Sequence, residues 1–260
     1  MKEYKGYVFI TGAAGGIGSA AARLFAGKGY FLGLTDIDRQ GLEKLSEELG
    51  SDNVYWKEAD LRSEEHLAAA ISGFAGHTGG RLDILLNNAG ILRVGNFEQI
   101  GLQEYKEMIE VNLLAMINGI YTALPLLEKS GNPRIINLSS ASALYGIPGM
   151  AVYSATKFAI RGLTEALNIE LERKGIRVSD IMPGFVKTGM VEKVSHALHL
   201  EGEEDLITPE AVAEIIWKAT QRSRLHWPVG RKIRLLSALM PFLPPSIRRK
   251  LAKWGSHFKG

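Results

Sequence analysis

The sequence predicts a doubly wound α/β fold, a single domain in which a seven-stranded parallel sheet carries helices on both faces. Three observations support that expectation. Short apolar, β-rich runs alternate with helical stretches along nearly the whole chain, a pattern that yields parallel strands joined by right-handed crossovers. The first run passes through a glycine turn directly into an alanine-rich helix. With 260 residues, 46% of them hydrophobic, the chain can bury a full core without a linker or second layered domain.

Taken in order, residues 7–11 (YVFIT) read as the first strand and 19–27 as the first helix. A second strand at 31–35 (FLGLT) precedes a helix at 38–49, which Asp38 is suited to cap. Strands at 54–57 and 84–86 bracket a helix at 63–75. A long helix at 103–128 leads to a buried strand at 134–138 (RIINL), and 152–173 reads as the next helix. A strand at 177–182, a helix at 209–222 and a last strand at 228–233 complete the series. In such sheets ligands bind at the C-terminal edge of the strands, and every candidate residue below falls on that edge.

The glycine turn contains Gly12, Gly16 and Gly18, with Ile17 between the last two. Glycines let the backbone approach a pyrophosphate, and the helix N-terminus offers unpaired N–H groups at its positive end. The same spacing, Gly-x-x-x-Gly-x-Gly, also suits a plain tight turn with close helix packing. The next unit decides for a dinucleotide. Asp36 ends the second strand, where a carboxylate accepts hydrogen bonds from the adenosine ribose and repels a 2′-phosphate. Position 15 is glycine, so no cation there compensates a phosphate, and the expected cofactor is NAD rather than NADP.

Tyr153 and Lys157 stand four residues apart in a helical stretch and so share one face. A nearby ammonium favours phenolate and lowers the tyrosine pKa, which suits general acid/base work on an alcohol or ketone. Upstream, the strand 134–138 runs into Ser139, Ser140 and Ser142, any of which offers a hydroxyl at the ligand-binding edge. Such a hydroxyl could hydrogen-bond the same substrate oxygen that Tyr153 protonates.

These motifs, in this order, resemble the short-chain dehydrogenases/reductases of about 250 residues, with their Rossmann fold. The resemblance runs from about residue 5 to residue 230. It rests on Thr11-Gly12-x-x-x-Gly16-x-Gly18, Asp60-Leu61, Asn87-Asn88-Ala89-Gly90, Asn112, Ser140, Tyr153 with Lys157, and Pro183-Gly184 with Thr188. It implies that Tyr153 is the proton donor or acceptor and that Ser140, thirteen residues before it, orients the substrate oxygen. Lys157 is expected on the nicotinamide ribose, and Asn112 on a water linking that lysine to solvent. The resemblance places Asp60 and Leu61 at the adenine and Asn88, Ala89 and Gly90 along the adenosine. Pro183, Gly184, Val186 and Thr188 fall on the carboxamide and phosphate side. It also implies a homodimer or homotetramer formed through the helices at 103–128 and 152–173.

The segment at about 188–206 is where similar enzymes carry a substrate lid. Met190, Val191, Val194, Ala197, Leu198 and Leu200, with Leu92, Val94, Leu144, Ile147, Met150 and Val152, suggest an apolar pocket. No arginine stands out there to clamp a carboxylate. The expected substrate is a hydrophobic secondary alcohol or ketone of steroid, retinoid or fatty-alcohol type. An NADPH-dependent reductase of acyl-chain carbonyls and a non-catalytic dinucleotide-sensing module are the alternatives. His196 and His199 lack further ligands at metal spacing, so no metal is expected.

Charge divides the chain into a domain at 1–234 and a basic, apolar extension at 235–260. The chain holds 31 Lys and Arg against 28 Asp and Glu, yet from residue 215 onward there are eleven basic residues and no acidic one. Residues 235–243 (LLSALMPFL) are too short to span a bilayer, and 246–254 (SIRRKLAKW) read as a basic amphipathic helix. That extension either closes the pocket or packs on a subunit, or it attaches peripherally to an anionic membrane. No base-reading motif accompanies the basic residues, so nucleic acid is not an expected partner. The chain has no cysteine, which says little about redox compartment; with a first strand starting by residue 7 it is expected to be cytoplasmic, without a signal peptide.

Overall fold

The computed structural model describes residues 3–194 and 206–255. Seven parallel strands form one sheet in the order β3-β2-β1-β4-β5-β6-β7. They are β1 Tyr7–Thr11, β2 Phe31–Asp36, β3 Val54–Glu58, β4 Ile84–Asn87, β5 Arg134–Leu138, β6 Arg177–Pro183 and β7 His226–Val229. The order reverses between β1 and β4, so the chain leaves that point in opposite directions and opens a crevice beyond the strand ends.

Side chains alternate between the two faces of the sheet and build a core on each. Val8, Ile10, Leu32, Leu34, Leu86 and Ile136 face one way. They pack against α1 (Gly16–Gly27), α2 (Arg39–Leu49) and α8 (Pro209–Gln221). Phe9, Phe31, Leu85, Ile135 and Val178 face the other way, toward α3 (Glu64–His77), α5 (Ala115–Leu127) and α6 (Ala151–Glu170). Gly33 in β2 has no room for a side chain, because a Cβ would lie 2.5 Å from both Phe9 and Phe74.

Local chemistry explains the helix boundaries. Asp38 caps α2 by accepting from Gly41 N, and Ser63 caps α3 by accepting from His66 N. The first helix begins at Gly16, three residues before the expected start, so the last two glycines of the turn belong to its first turn. The long helix expected at 103–128 is α4 (Leu102–Ile109) and α5 joined by a π-helical turn at Glu110–Leu114. By length and composition Leu102–Leu127 is apolar enough to cross a membrane. One face of it packs on the sheet and α3, where Met116, Ile120 and Ala123 join Leu67 and Ile71 in one core, while Leu114, Ile117 and Tyr121 stay exposed on the other.

The last strand departs from the sequence reading. It starts at His226, whose ring meets the buried Asp180 of β6, and it ends at Val229. Gly230, at φ +93°, then turns the chain into α9 (Arg231–Leu239), so Ile233 is helical rather than extended. A short helix α7 (Gly189–Glu192) follows Thr188, and α10 (Pro245–Gly255) ends the described chain.

Candidate active site

The glycine turn fits a dinucleotide. No side chain caps the N-terminus of α1, so its first N–H groups face the crevice unopposed by a cap. The turn is also built for close approach. Gly12 has φ +65°, a Cβ on Gly16 would lie 2.7 Å from Thr188, and one on Gly18 would lie 2.1 Å from the Gly12 carbonyl. Asn88 ties β4 to this turn, donating from Nδ2 to the carbonyls of Thr11 at 3.0 Å and Gly12 at 2.9 Å. Asp36 accepts from Ala14 N at 3.0 Å and from Asp38 N at 3.1 Å, which fixes its carboxylate beside the turn.

Beyond the turn lies one continuous cavity of about 1360 Å³. Its size exceeds the ~300–1,000 Å³ typical of a single small-molecule site and leaves room for a cofactor and a substrate together. Gly12, Gly16, Ile17, Asp36, Asp60, Leu61, Asn88, Ala89 and Gly90 line it, and so do Ser140, Tyr153, Lys157, Pro183, Gly184, Val186 and Thr188. Gly18 and Asn112 do not reach the surface of the cavity and act from behind it.

Ser140 and Tyr153 meet through their side chains. Of the rival hydroxyls, Ser139 is committed to the Lys157 carbonyl at 3.2 Å, and Ser142 Oγ is buried with no partner among the described residues. Lys157 lies one turn beyond the tyrosine on α6, its Nζ 5.5 Å from the Tyr153 ring centroid and donating to Leu138 O at 2.8 Å. Asn112, fully buried in the π-turn, accepts from Ile91 N at 2.7 Å and donates to Ile91 O at 3.0 Å and Thr156 Oγ1 at 3.3 Å. It thereby couples the loop after β4 to α6. It does so from within the π-helical turn, a helix irregularity of the kind frequent at functional sites.

Electrostatics correct one expectation. Lys157 was expected to make Tyr153 more acidic, but in the protein alone burial pushes the phenol up to about 12, with the Ser140 hydrogen bond acting against it. The same burial pulls the Lys157 ammonium down to about 8. Both charged forms are penalised by dense surroundings, and that penalty outweighs the pair's mutual effect. At neutral pH Tyr153 therefore holds its proton firmly. Arg62 beside Asp60, at 2.6 Å, holds that carboxyl below its usual range.

The apolar inventory of the pocket is reproduced in part. Leu92, Leu144, Ile147, Met150, Met190 and Val191 line the cavity, whereas Val94, Val152 and Val194 do not. Ala197, Leu198 and Leu200, with His196 and His199, lie outside the described residues. Arg93, overlooked between two apolar neighbours, also lines the cavity. Its guanidinium is engaged by Glu104 at 2.9 Å and lies 4.0 Å from Glu107, so it reaches the cavity already paired. The described part of the extension adds Leu236, Met240, Leu251 and Ala252 to the wall, and Ile233 joins them from just before it.

Residues 6–199 match the family described as short chain dehydrogenase. The chain belongs to that family. Among relatives of this short chain dehydrogenase, the oxidoreductase UcpA of Salmonella typhimurium is 38% identical over 207 residues, 78% of each chain. A cyclohexanol dehydrogenase of an Acinetobacter strain is 33% identical over 214 residues, 80% of this chain and 84% of that protein. The crystal structure of 3-ketoacyl-(acyl-carrier-protein) reductase from Brucella melitensis, complexed with NADH, superposes with a TM-score of 0.79 at 27% identity. The match covers 87% of this chain and 97% of that one. The family match stops at residue 199, so α8, α9 and α10 of this short chain dehydrogenase lie beyond it.

Proposed function

We propose that this oxidoreductase uses NAD to interconvert a hydrophobic secondary alcohol and its ketone, with Tyr153 as the acid/base group. One observation carries the reading: Ser140, Tyr153 and Lys157 meet on the wall of a cavity that continues over an uncapped glycine turn. A bound nicotinamide supplies or accepts the hydride there. In ketone reduction Tyr153 donates its proton to the carbonyl oxygen as the hydride reaches the carbon, and Ser140 hydrogen-bonds that oxygen. Oxidation reverses both transfers. The raised phenol pKa suits the donor role, and Lys157, pulled down to about 8, is the group that can resupply the proton near neutrality. Asn112 holds the Ile91 peptide and α6 in register, a positioning role.

Asp36 supports NAD, since its carboxylate is fixed where a 2′-phosphate would meet it. The apolar wall and the likeness to a cyclohexanol dehydrogenase support a secondary alcohol. Likeness to the ketoacyl reductase favours a second reading, reduction of an acyl-chain carbonyl. Self-association belongs to the same proposal, supported by exposed apolar side chains on the α4–α5 unit and α6, among them Leu114, Ile117, Tyr121 and Phe158.

A panel of hydrophobic alcohols and ketones, followed by nicotinamide absorbance with each dinucleotide, tests the reading. Turnover of an apolar secondary alcohol with NAD supports it. Turnover only of acyl-chain ketones with NADPH moves the assignment to the second reading, and no turnover with any pair sinks both.

A further inference from the structure

We infer that the C-terminal helix pair is a docking surface for an anionic lipid bilayer. Helix α9 and the tight turn Met240–Phe242 that continues it are apolar on two faces at once. Ile233, Leu236 and Met240 point inward and line the cavity. Leu235, Leu239 and Phe242 recur at intervals of about one turn on the other side and are 61%, 46% and 85% exposed. In α10, Ile247 is 44% exposed. A soluble helix needs only one apolar face, and the second has no partner among the described residues.

The outward face is held in shape. Arg248 donates to Leu243 O at 2.7 Å and to Pro241 O at 3.0 Å, clamping the backbone on either side of Phe242. The aromatic ring is thus presented by a fixed turn, the arrangement that lowers the entropic cost of insertion.

Charge selects the partner. Arg234, Arg249 and Lys250 are exposed around the apolar side chains, and no acidic residue follows Glu214 anywhere in the chain. A second copy docked face to face would bring two basic surfaces together with no acid to offset them. An anionic bilayer answers both properties, taking the apolar side chains into its interface and the basic ones among its headgroups. On the activity proposed above, the inward face of the same helix then separates the membrane from the cavity, so an apolar substrate has a short route between them. Membrane binding itself is read without turnover and is judged separately from that activity.

The test is co-sedimentation of the full chain with vesicles of phosphatidylcholine alone and of equimolar phosphatidylcholine and phosphatidylserine, at low and high salt. Expected is sedimentation with the phosphatidylserine vesicles at low salt, lost with phosphatidylcholine alone and loosened by salt. Arg249→Glu with Lys250→Glu should weaken binding by at least the ~5-fold that each basic residue contributes, applied twice. Leu239→Ser with Phe242→Ser should weaken it at least ~10-fold, with an unchanged circular dichroism spectrum and mass in solution. Absence of sedimentation at low salt overturns the inference, as does equal binding to uncharged vesicles. So does a fall in oligomeric mass in the double-serine variant without loss of vesicle binding, which would make this face a subunit interface.

Discussion

Replacing Lys157 by Met is predicted to stabilise the protein while abolishing turnover. The Lys157 side chain is buried at 4% exposure, and burial lowers its pKa from 10.5 to about 8. At ~1.4 kcal/mol per unit, carrying that charge costs the folded state about 3 kcal/mol. Methionine has a similar length and no charge, but it leaves Leu138 O without its 2.8 Å donor, a loss of ~1 kcal/mol. The net gain near neutrality is about 2 kcal/mol. The folded pKa lies below the unfolded one, so the penalty is complete below about pH 8, where both states are protonated. It fades as pH rises toward 10.5, because the folded state loses the proton first. By about pH 10 less than ~1 kcal/mol of it remains, and the advantage of the variant disappears. Urea unfolding of the dinucleotide-free protein at about pH 7 and about pH 10 measures this directly. A variant less stable than the parent near neutrality, or one whose gain does not change with pH, refutes the burial argument.

Two further changes probe the cofactor end. Gly18→Ala places a methyl 2.1 Å from Gly12 O and 2.8 Å from Ala13 Cα, backbone atoms that move only by displacing the turn. It should destabilise the fold by ~1–3 kcal/mol and weaken dinucleotide binding at least tenfold in a fluorescence titration, and unchanged affinity would contradict the fit. Asp36→Asn removes the negative charge yet keeps an acceptor for Ala14 N. The ratio of kcat/KM for NAD over NADP should narrow at least ~10-fold, from loss of a few kcal/mol of repulsion at short range, and an unaltered ratio would remove Asp36 from cofactor choice.

Six strands were legible because each is an apolar run bounded by a helical stretch. The seventh was legible with shifted bounds: expected at 228–233, it starts at His226, which looks polar in sequence and pairs with Asp180 forty-six positions earlier, and it ends at Val229, where Gly230 turns the chain into α9. Glu165 of α6, itself half exposed, reaches the other ring nitrogen at 3.1 Å, an acid–histidine cluster that no local spacing announces. Tyr153, Lys157 and Ser140 were legible because one helix face and one strand end suffice to bring them together. Asn112 was placed by resemblance, while the π-turn that carries it leaves no mark in EVNLL. The direction of the Tyr153 shift was misjudged for a physical reason: charge pairing can be read from spacing, whereas desolvation depends on everything packed around the pair. Arg93 was missed because its partners Glu104 and Glu107 lie on the following helix, so its paired state emerges only in three dimensions.

The most direct test of the proposed chemistry is the Tyr153→Phe variant, assayed with the best alcohol of the panel and, separately, for dinucleotide affinity. The ring remains and only the hydroxyl that meets Ser140 is lost. Turnover should fall by at least the ~10²-fold that general acid/base catalysis supplies, while dinucleotide affinity stays within about twofold. Near-normal turnover in that variant would contradict the assignment of the proton to Tyr153.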